Sequence, residues 1–261
     1  MSTEPADFEA YSVEHPQLHA ADAYPDAILP LLAGRSGVFL DVGAGFGSPL
    51  RALAQRGYLQ GFSSVIATDI SSVCVASMKR ELRGVEALQA DALALPLPSN
   101  SVDVYFSDQV IEHVANDRAM AAEAYRLVKP GGVAFIGSVF KRRFAWYFYR
   151  SNGRWTIDPT HLREYDSVEE YRRVFTDAGF RAEAIALRPI SHPLHRIALV
   201  TLVRCRLMSA DRALRISTHP LVQAIGRLRI PVPRYCFIYA TLTKDVDHDI
   251  NQEQRPHSSA V

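Results

Sequence analysis

Asp41-Val42-Gly43-Ala44-Gly45-Phe46-Gly47 is the stretch on which the fold of this chain turns. An apolar, β-branched run from Val38 to Val42 precedes it and reads as a strand, and a helix is expected to open near Pro49. That placement is what gives a glycine motif weight. Gly43 permits a tight turn, Gly45 lets a ligand approach the backbone, and the following helix presents unpaired N–H groups and a positive dipole end. A ligand carrying a carboxylate or phosphate is expected there. A nicotinamide dinucleotide site would place its third glycine at position 48, but that residue is Ser48 and the third glycine is Gly47, so the spacing disfavours a dinucleotide.

Working outward, short apolar runs alternate with helical segments, the pattern of a doubly wound, mostly parallel sheet with helices on both faces. Strands are expected at Val38 to Val42, Ser64 to Thr68, Val85 to Ala90, Val102 to Ser107 and Val133 to Val139. Helices are expected near Pro49, from Ser72 to Leu82 with Ser71 or Ser72 as cap, and from about Asn116 to Val128. Lys129-Pro130-Gly131-Gly132 reads as a stop and turn. A short helix from Pro25 to Leu32 leads in, a helix from Val168 to Ala178 ends at Gly179, and later strands fall at Ala182 to Leu187 and Cys236 to Thr243. Asp69 lies 22 residues past Gly47 at a strand end, where a carboxylate can accept the two ribose hydroxyls of an adenosyl group. Asp91, ending the third strand, has two readings: contact with an adenine edge, or the cap of a turn.

Two segments break the alternation. Residues 140–166 carry Lys141-Arg142-Arg143 and the aromatics Phe144, Trp146, Tyr147, Phe148, Tyr149 and Trp155. Residues 188–234 hold nine arginines against one acid, Asp211, so with a whole-chain charge of +1 the remainder carries about seven negative charges. The expected organisation is one domain over 1–244, with its core at about 31–187 plus 236–243, these two insertions forming a cap, and a polar, disordered tail over 245–261. With 29 basic and 28 acidic residues, no global field points to nucleic acid. Cys74, Cys205 and Cys236 form no disulfide or metal-binding spacing, the first ten residues do not read as a signal peptide, and no apolar run reaches membrane-spanning length. A cytoplasmic protein, at most peripheral at the inner membrane face, is the expectation. From Leu194 to Met208, apolar residues punctuated by Arg196, Arg204 and Arg206 fit either weak association with an anionic membrane or a helix packed on the core with solvated arginines.

The runs DVGAGFG, IATDIS, QADALALPLPSNSVDVYFSDQVIEHV and EAYRLVKPGGVAFIGS together resemble class I S-adenosylmethionine-dependent methyltransferases of the small-molecule branch, over roughly Leu31 to Leu187. The resemblance implies a seven-stranded sheet with an antiparallel last strand and S-adenosyl-L-methionine as cofactor. By it, Asp41, Gly43, Ala44 and Gly45 hold the methionine part, Asp69 with Ile70 the ribose side, and Asp91 with Ala92 the adenine. Ser107 to Gln109 line the cofactor. Asp41 and Gly47 equally suit a role in shaping the turn.

Methyl transfer is an in-line displacement, so alignment and exclusion of water are the main requirements, with a base needed for a poorly acidic hydroxyl. His113 in IEHV and His161 in DPTHLREY are the candidate bases; packing of His113 and loop-fixing by His161 are the alternatives. Ser107-Asp108-Gln109-Val110 stands where a base-amino methyltransferase would carry a Pro-Pro-Tyr type run, and one carboxylate, Asp108, does not build a metal-assisted catechol site. The expectation is transfer to a small or lipid-like acceptor, at a hydroxyl oxygen, without a metal. Two other readings stay open: a catalytically silent scaffold of the same fold, and an RNA-binding methyltransferase using the arginine-rich insertion.

Overall fold

The computed structural model describes residues 9, 25–147, 149–151, 154–226 and 228–246. A 3-10 turn at Asp26–Ile28 and helix α1 (Leu29–Leu32) lead into β1 (Gly37–Val42), α2 (Ser48–Gln55), β2 (Phe62–Asp69), α3 (Ser72–Glu81) and β3 (Glu86–Gln89). Then follow β4 (Val102–Asp108), α4 (Asp117–Leu127), β5 (Val128–Lys141), the hairpin strands β6 (Tyr149–Ser151) and β7 (Arg154–Thr156), and α5 (Val168–Thr176). The chain closes with β8 (Arg181–Pro193), α6 (Leu194–Arg204), α7 (Ala210–Ser217), α8 (Pro220–Ile225) and β9 (Arg229–Thr243).

The sheet order is β3-β2-β1-β4-β5-β9-β8, with β9 antiparallel to both neighbours and the other pairings parallel. Strand order reverses between β1 and β4, and a crevice opens at the carboxyl ends of strands at such a switch point. Because helices cover both faces, each central strand buries alternate residues in opposite cores. Val104 and Phe106 join Phe39, Leu50 and Leu53 on one side, whereas Tyr105 joins Met120, Ile136 and Tyr171 on the other. A ladder of rings crosses four strands on the first face: Phe39, Phe106, Phe135 and Tyr239, with centroids 6.2, 5.9 and 5.3 Å apart. Helix starts follow local chemistry, since Ser71, Asn116 and Ser167 each accept a backbone N–H three residues on.

Two expectations needed correction. Lys129-Pro130-Gly131-Gly132 does not end an element. It lies inside β5 as a break in register, with four residues standing opposite Asp103 alone, since Val102 pairs with Val128 and Val104 with Val133, and Gly131 takes φ 79°. Strands β8 and β9 do not stop at residues 187 and 236 but continue as a paired ribbon to Pro193↔Arg229. Pro189, Pro193, Pro231 and Pro233 resemble strand breakers, yet they sit on a projecting ribbon where missing donors are tolerated, and the ribbon buries Ile190 and Val232 against Ala145 and Tyr235. The tail is described as far as Val246, and Asp245 pairs with Arg181 at 3.1 Å; residues 247–261 lie outside the described residues.

Both insertions leave the carboxyl edge of the parallel strands. β9 pairs with β5 only as far as Tyr235↔Lys141, so its first residues, with the end of β8, carry α6, α7 and α8 beyond that edge as a cap over the β5-β9-β8 half of the sheet. Leu194 N donates to Leu228 O at 2.8 Å, closing the neck of the helical insertion. No helix among the described residues is long and apolar enough to cross a membrane.

Candidate functional site

The glycine loop crosses from β1 to β2 through two hydrogen bonds on one carbonyl: Gly43 N and Ala44 N donate to Thr68 O at 2.8 and 2.9 Å. A side chain at Gly43 (φ 71°) is excluded twice, by the left-handed backbone and by Val110 Cγ2, 2.2 Å from where a Cβ would stand. Gly47 (φ 72°) then starts α2. Asp69 ties the loop to the next helix, with Oδ2 accepting from Gly45 N at 2.8 Å and Oδ1 from Ser71 N at 2.9 Å. Each oxygen retains a second acceptor direction for a ligand hydroxyl. Burial raises the Asp69 pKa, and those N–H bonds oppose the rise. Ile70, beside it, is 50% exposed, an apolar platform next to a buried carboxylate.

Asp41 is buried within β1 and its Oδ2 has no hydrogen-bond partner. Burial, then Asp108 and Asp69, raise its pKa well above the ordinary range, and burial lifts Asp108 to about 6. Three carboxylates at the ends of β1, β2 and β4, one with an orphaned oxygen, together with a glycine cradle, suit a ligand that brings positive charge. Gln109 takes φ 61°, uncommon for a side-chain-bearing residue, as its N–H donates to Gly137 O at 3.1 Å.

Other predicted residues have structural tasks. Asp91 is exposed and its Oδ1 accepts from Leu93 N at 2.9 Å, the turn-capping alternative, with half-buried Ala92 inside that turn. Ser107 is buried and donates to Val42 O at 2.9 Å, joining β4 to β1. Glu9, which sequence reasoning missed, accepts from Ser72 N at 2.6 Å and Ser71 Oγ at 3.0 Å, and the N–H groups opening α3 hold its pKa low. Of the aromatics in the first insertion, Trp146 and Trp155 pack edge to face and Tyr147 meets Tyr235, whereas the side chains of Phe148 and Tyr149 lie outside the described residues.

A second cluster forms where the turn after β4 meets the loop before α5. Leu162 N and Arg163 N donate to Glu112 O at 2.9 and 3.3 Å. Arg163 reaches back across the turn, donating to Ile111 O, Val114 O and Ala115 O at 2.7, 2.6 and 2.9 Å. This clamp places His161 between two carboxylates. His161 Nδ1 lies 3.3 Å from Glu164 Oε1 and its Nε2 lies 4.0 Å from Glu112 Oε1, an oxygen with no hydrogen-bond partner. Glu112 Oε2 accepts from Ser138 Oγ at 3.0 Å. Glu164 accepts further from Thr156 Oγ1 (2.6 Å), Ile157 N (2.8 Å) and Tyr235 OH (3.2 Å), with Lys141 Nζ at 3.4 Å.

The charges follow from this arrangement. Burial works to lower the His161 pKa, but Glu164, Glu112 and Asp158 outweigh it and the value is raised. Burial pushes Glu112 up to about 7 against the pull of His161, whereas Glu164, held by its donors despite burial, stays below the ordinary value. His113 differs: burial, then His161 beside it, lowers it to about 4, and its Nδ1 lies 3.2 Å from Thr160 Oγ1. The two imidazoles meet edge to face with centroids 4.8 Å apart. Sequence reasoning found both histidines but missed Glu112 and Glu164, although Glu164 sits three residues from His161 in the same motif.

Residues 40–136 match the family described as Methyltransferase domain. A Mycobacterium tuberculosis protein named "Probable S-adenosylmethionine-dependent methyltransferase" is 32% identical over 154 residues, 59% of this chain and 51% of that protein. The ubiquinone biosynthesis O-methyltransferase of Parvibaculum lavamentivorans is 26% identical over 152 residues, 56% of this chain and 60% of the relative. The chain thus spans about half the length of the curated relatives it matches. Among solved structures, the [4+2]-cyclase SpnF superposes with TM-score 0.57 at 22% identity, covering 85% of this chain and 82% of that one, a likeness of fold. The region that carries the glycine cradle and the switch point of the sheet is thus the region similar to a methyltransferase domain. The S-adenosylmethionine named for the Mycobacterium tuberculosis relative is a sulfonium, a positive charge of the kind the three carboxylates here suit.

Proposed function

We propose that the protein methylates a hydroxyl oxygen of a small, lipid-like acceptor, with His161 as proton acceptor and His113 as an orienting neighbour. The observation that carries this is the gap between His161 Nε2 and the unpartnered Glu112 Oε1. Across 4.0 Å, an oxygen placed off the connecting line reaches both at roughly 2.8 Å, so the pair is spaced to hold one hydroxyl. S-adenosylmethionine, when bound, supplies an electrophilic methyl group. His161 would take the hydroxyl proton while the methyl group passes from the sulfonium sulfur, which leaves as a neutral thioether, to the hydroxyl oxygen, and Glu164 at Nδ1 fixes the tautomer and stabilises the resulting imidazolium. His113, lowered to about 4, stays neutral and is the poorer proton acceptor at neutral pH.

Support for the acceptor class comes from a relative named for O-methylation in ubiquinone biosynthesis, and from the capped half of the sheet, where apolar and basic side chains stand together. Fold alone does not fix methyl transfer, as the likeness to a cyclase illustrates. The carboxylates and glycines that suit the cofactor are all in place, which favours the enzyme over a silent scaffold. The test incubates the protein with methyl-labelled S-adenosylmethionine and prenylated phenols or hydroquinones. Label in a base-stable ether of the organic phase is expected; label on nitrogen or carbon, or cofactor binding without transfer to any such phenol, overturns the proposal.

A further inference from the structure

The cap presents a surface that the proposed reaction does not use. Helices α6, α7 and α8 pack on one another and on the end of β8, burying Leu199 and Ala213. The solvent-exposed residues of this cap are unlike those of an ordinary solvated surface. Leu207 is 74% exposed, Leu221 70% and Leu228 64%, with Ile225 and Ile230 also exposed. Arg206, Arg212 and Arg215 are exposed among them, and none makes an ion pair among the described residues. The segment 188–234 offers one acid, Asp211, against nine arginines, so it holds almost no internal counter-charge.

We propose that this outer face docks on an anionic lipid bilayer, with the leucines entering the boundary between headgroups and acyl chains and the arginines meeting lipid phosphates. Charge complementarity selects this occupant. A second copy of the chain would bring its own excess of eight positive charges against the first, whereas a layer of anionic headgroups supplies the missing counter-charge and an apolar layer just beneath it. The helices are too short to span, so the fit is to the interface plane. The neck, at Leu194 N to Leu228 O, joins this surface to the ribbon that borders the proposed acceptor side, so docking would set the site facing the bilayer. The inference stands on the surface alone and holds whichever atom is methylated.

The test uses the full chain with vesicles of phosphatidylcholine alone and of phosphatidylcholine with phosphatidylglycerol. Sedimentation with the anionic vesicles, release by high salt, and slowed amide exchange confined to about 194–230 are expected. The triple variant R206S/R212S/R215S should bind at least tenfold more weakly, at roughly fivefold per arginine. L207S/L221S should also lose binding, while both variants keep wild-type affinity for S-adenosylhomocysteine, which shows the fold intact. Equal or absent binding to the two vesicle types overturns the proposal. So does retention of binding in the leucine variant, which would mark simple polyanion attraction, or a concentration-dependent dimer that the variants abolish, which would give the face to a second copy.

Discussion

Asp69 already accepts an N–H on each oxygen, so a role in cofactor binding would rest on the remaining acceptor directions and on holding Gly45 in place. Replacement by Ala removes both and should weaken S-adenosylmethionine binding by about 1.5 to 3 kcal/mol, read by calorimetry. Asp69→Asn keeps the shape but turns one acceptor into a donor and should fall between the two. Unchanged affinity in both would remove Asp69 from the site. For His161 the discriminating quantity is pH. Its pKa is raised by Glu164, Glu112 and Asp158 against burial, with neutral His113 alongside, so the base form grows only above the ordinary value of 6.5. Turnover should therefore rise with pH through a midpoint above 6.5. Glu164→Gln removes a neighbour that stabilises the imidazolium, so its profile should move to lower pH, with a smaller maximal rate. A profile that does not move would reduce His161 to a structural residue. Glu112, His113 and His161 also bring one donor atom each within 4.8 Å of the others. The protonated imidazole itself supplies the cation these carboxylates require, so prolonged dialysis against a chelator should leave turnover unchanged. Loss of turnover restored by a divalent ion would replace the proton acceptor by a Lewis acid.

At the level of elements, the turn after β4 and the loop before α5 form one unit because Arg163 bonds to three carbonyls of the turn. Arg163→Ala strands those carbonyls and should cost roughly 2 to 4 kcal/mol of stability in urea unfolding, with turnover falling more than cofactor affinity. The His161–Glu164 pair adds a pH signature. His161, raised, contributes its full stability below 6.5 and loses it as pH rises through its folded value; Glu164, lowered, contributes above 4.5 and loses it as pH falls through its own. His161→Gln should thus destabilise most between these limits. Legibility in the sequence follows the range of the interactions. Strands β1 to β4, the cap at Ser71 and the glycine loop depend on neighbours in the chain, and the strand bounds were readable to within two residues. The register break in β5 and the β8-β9 ribbon depend on register with a partner strand, so glycine and proline misled there. Glu112 was invisible for a related reason. It reads as one face of a local turn, and only the fold sets it 4.0 Å from a histidine 49 positions later.

For the whole molecule, charge and topology are arranged together. The arginine-rich segment sits at the end of a ribbon that leaves the sheet after Tyr235↔Lys141, so the part of the chain with most positive charge is set apart from the carboxylates of the cofactor site. Its neck is closed twice, by the pairing Pro193↔Arg229 and by the bond from Leu194 N to Leu228 O. An insertion that begins and ends at one point contributes little to the cores on either side of the sheet, which are made by α2 to α5 and the strands. Removing residues 194–228 and joining Pro193 to Arg229 through Asn-Gly supplies the turn that an antiparallel ribbon favours. The shortened protein should unfold cooperatively within a few degrees of the intact one and bind S-adenosylmethionine with the same affinity, because the glycine loop, Asp69 and Asp41 are untouched. It should lose transfer to a lipid-like acceptor while keeping the His161–Glu164 pair, whose partners Tyr235 and Lys141 lie below the cut. Calorimetry for the cofactor, thermal unfolding and the labelled transfer assay together decide the matter. Retained transfer would place the acceptor pocket within residues 140–166 alone, and lost cofactor binding would show that the cap supports the core.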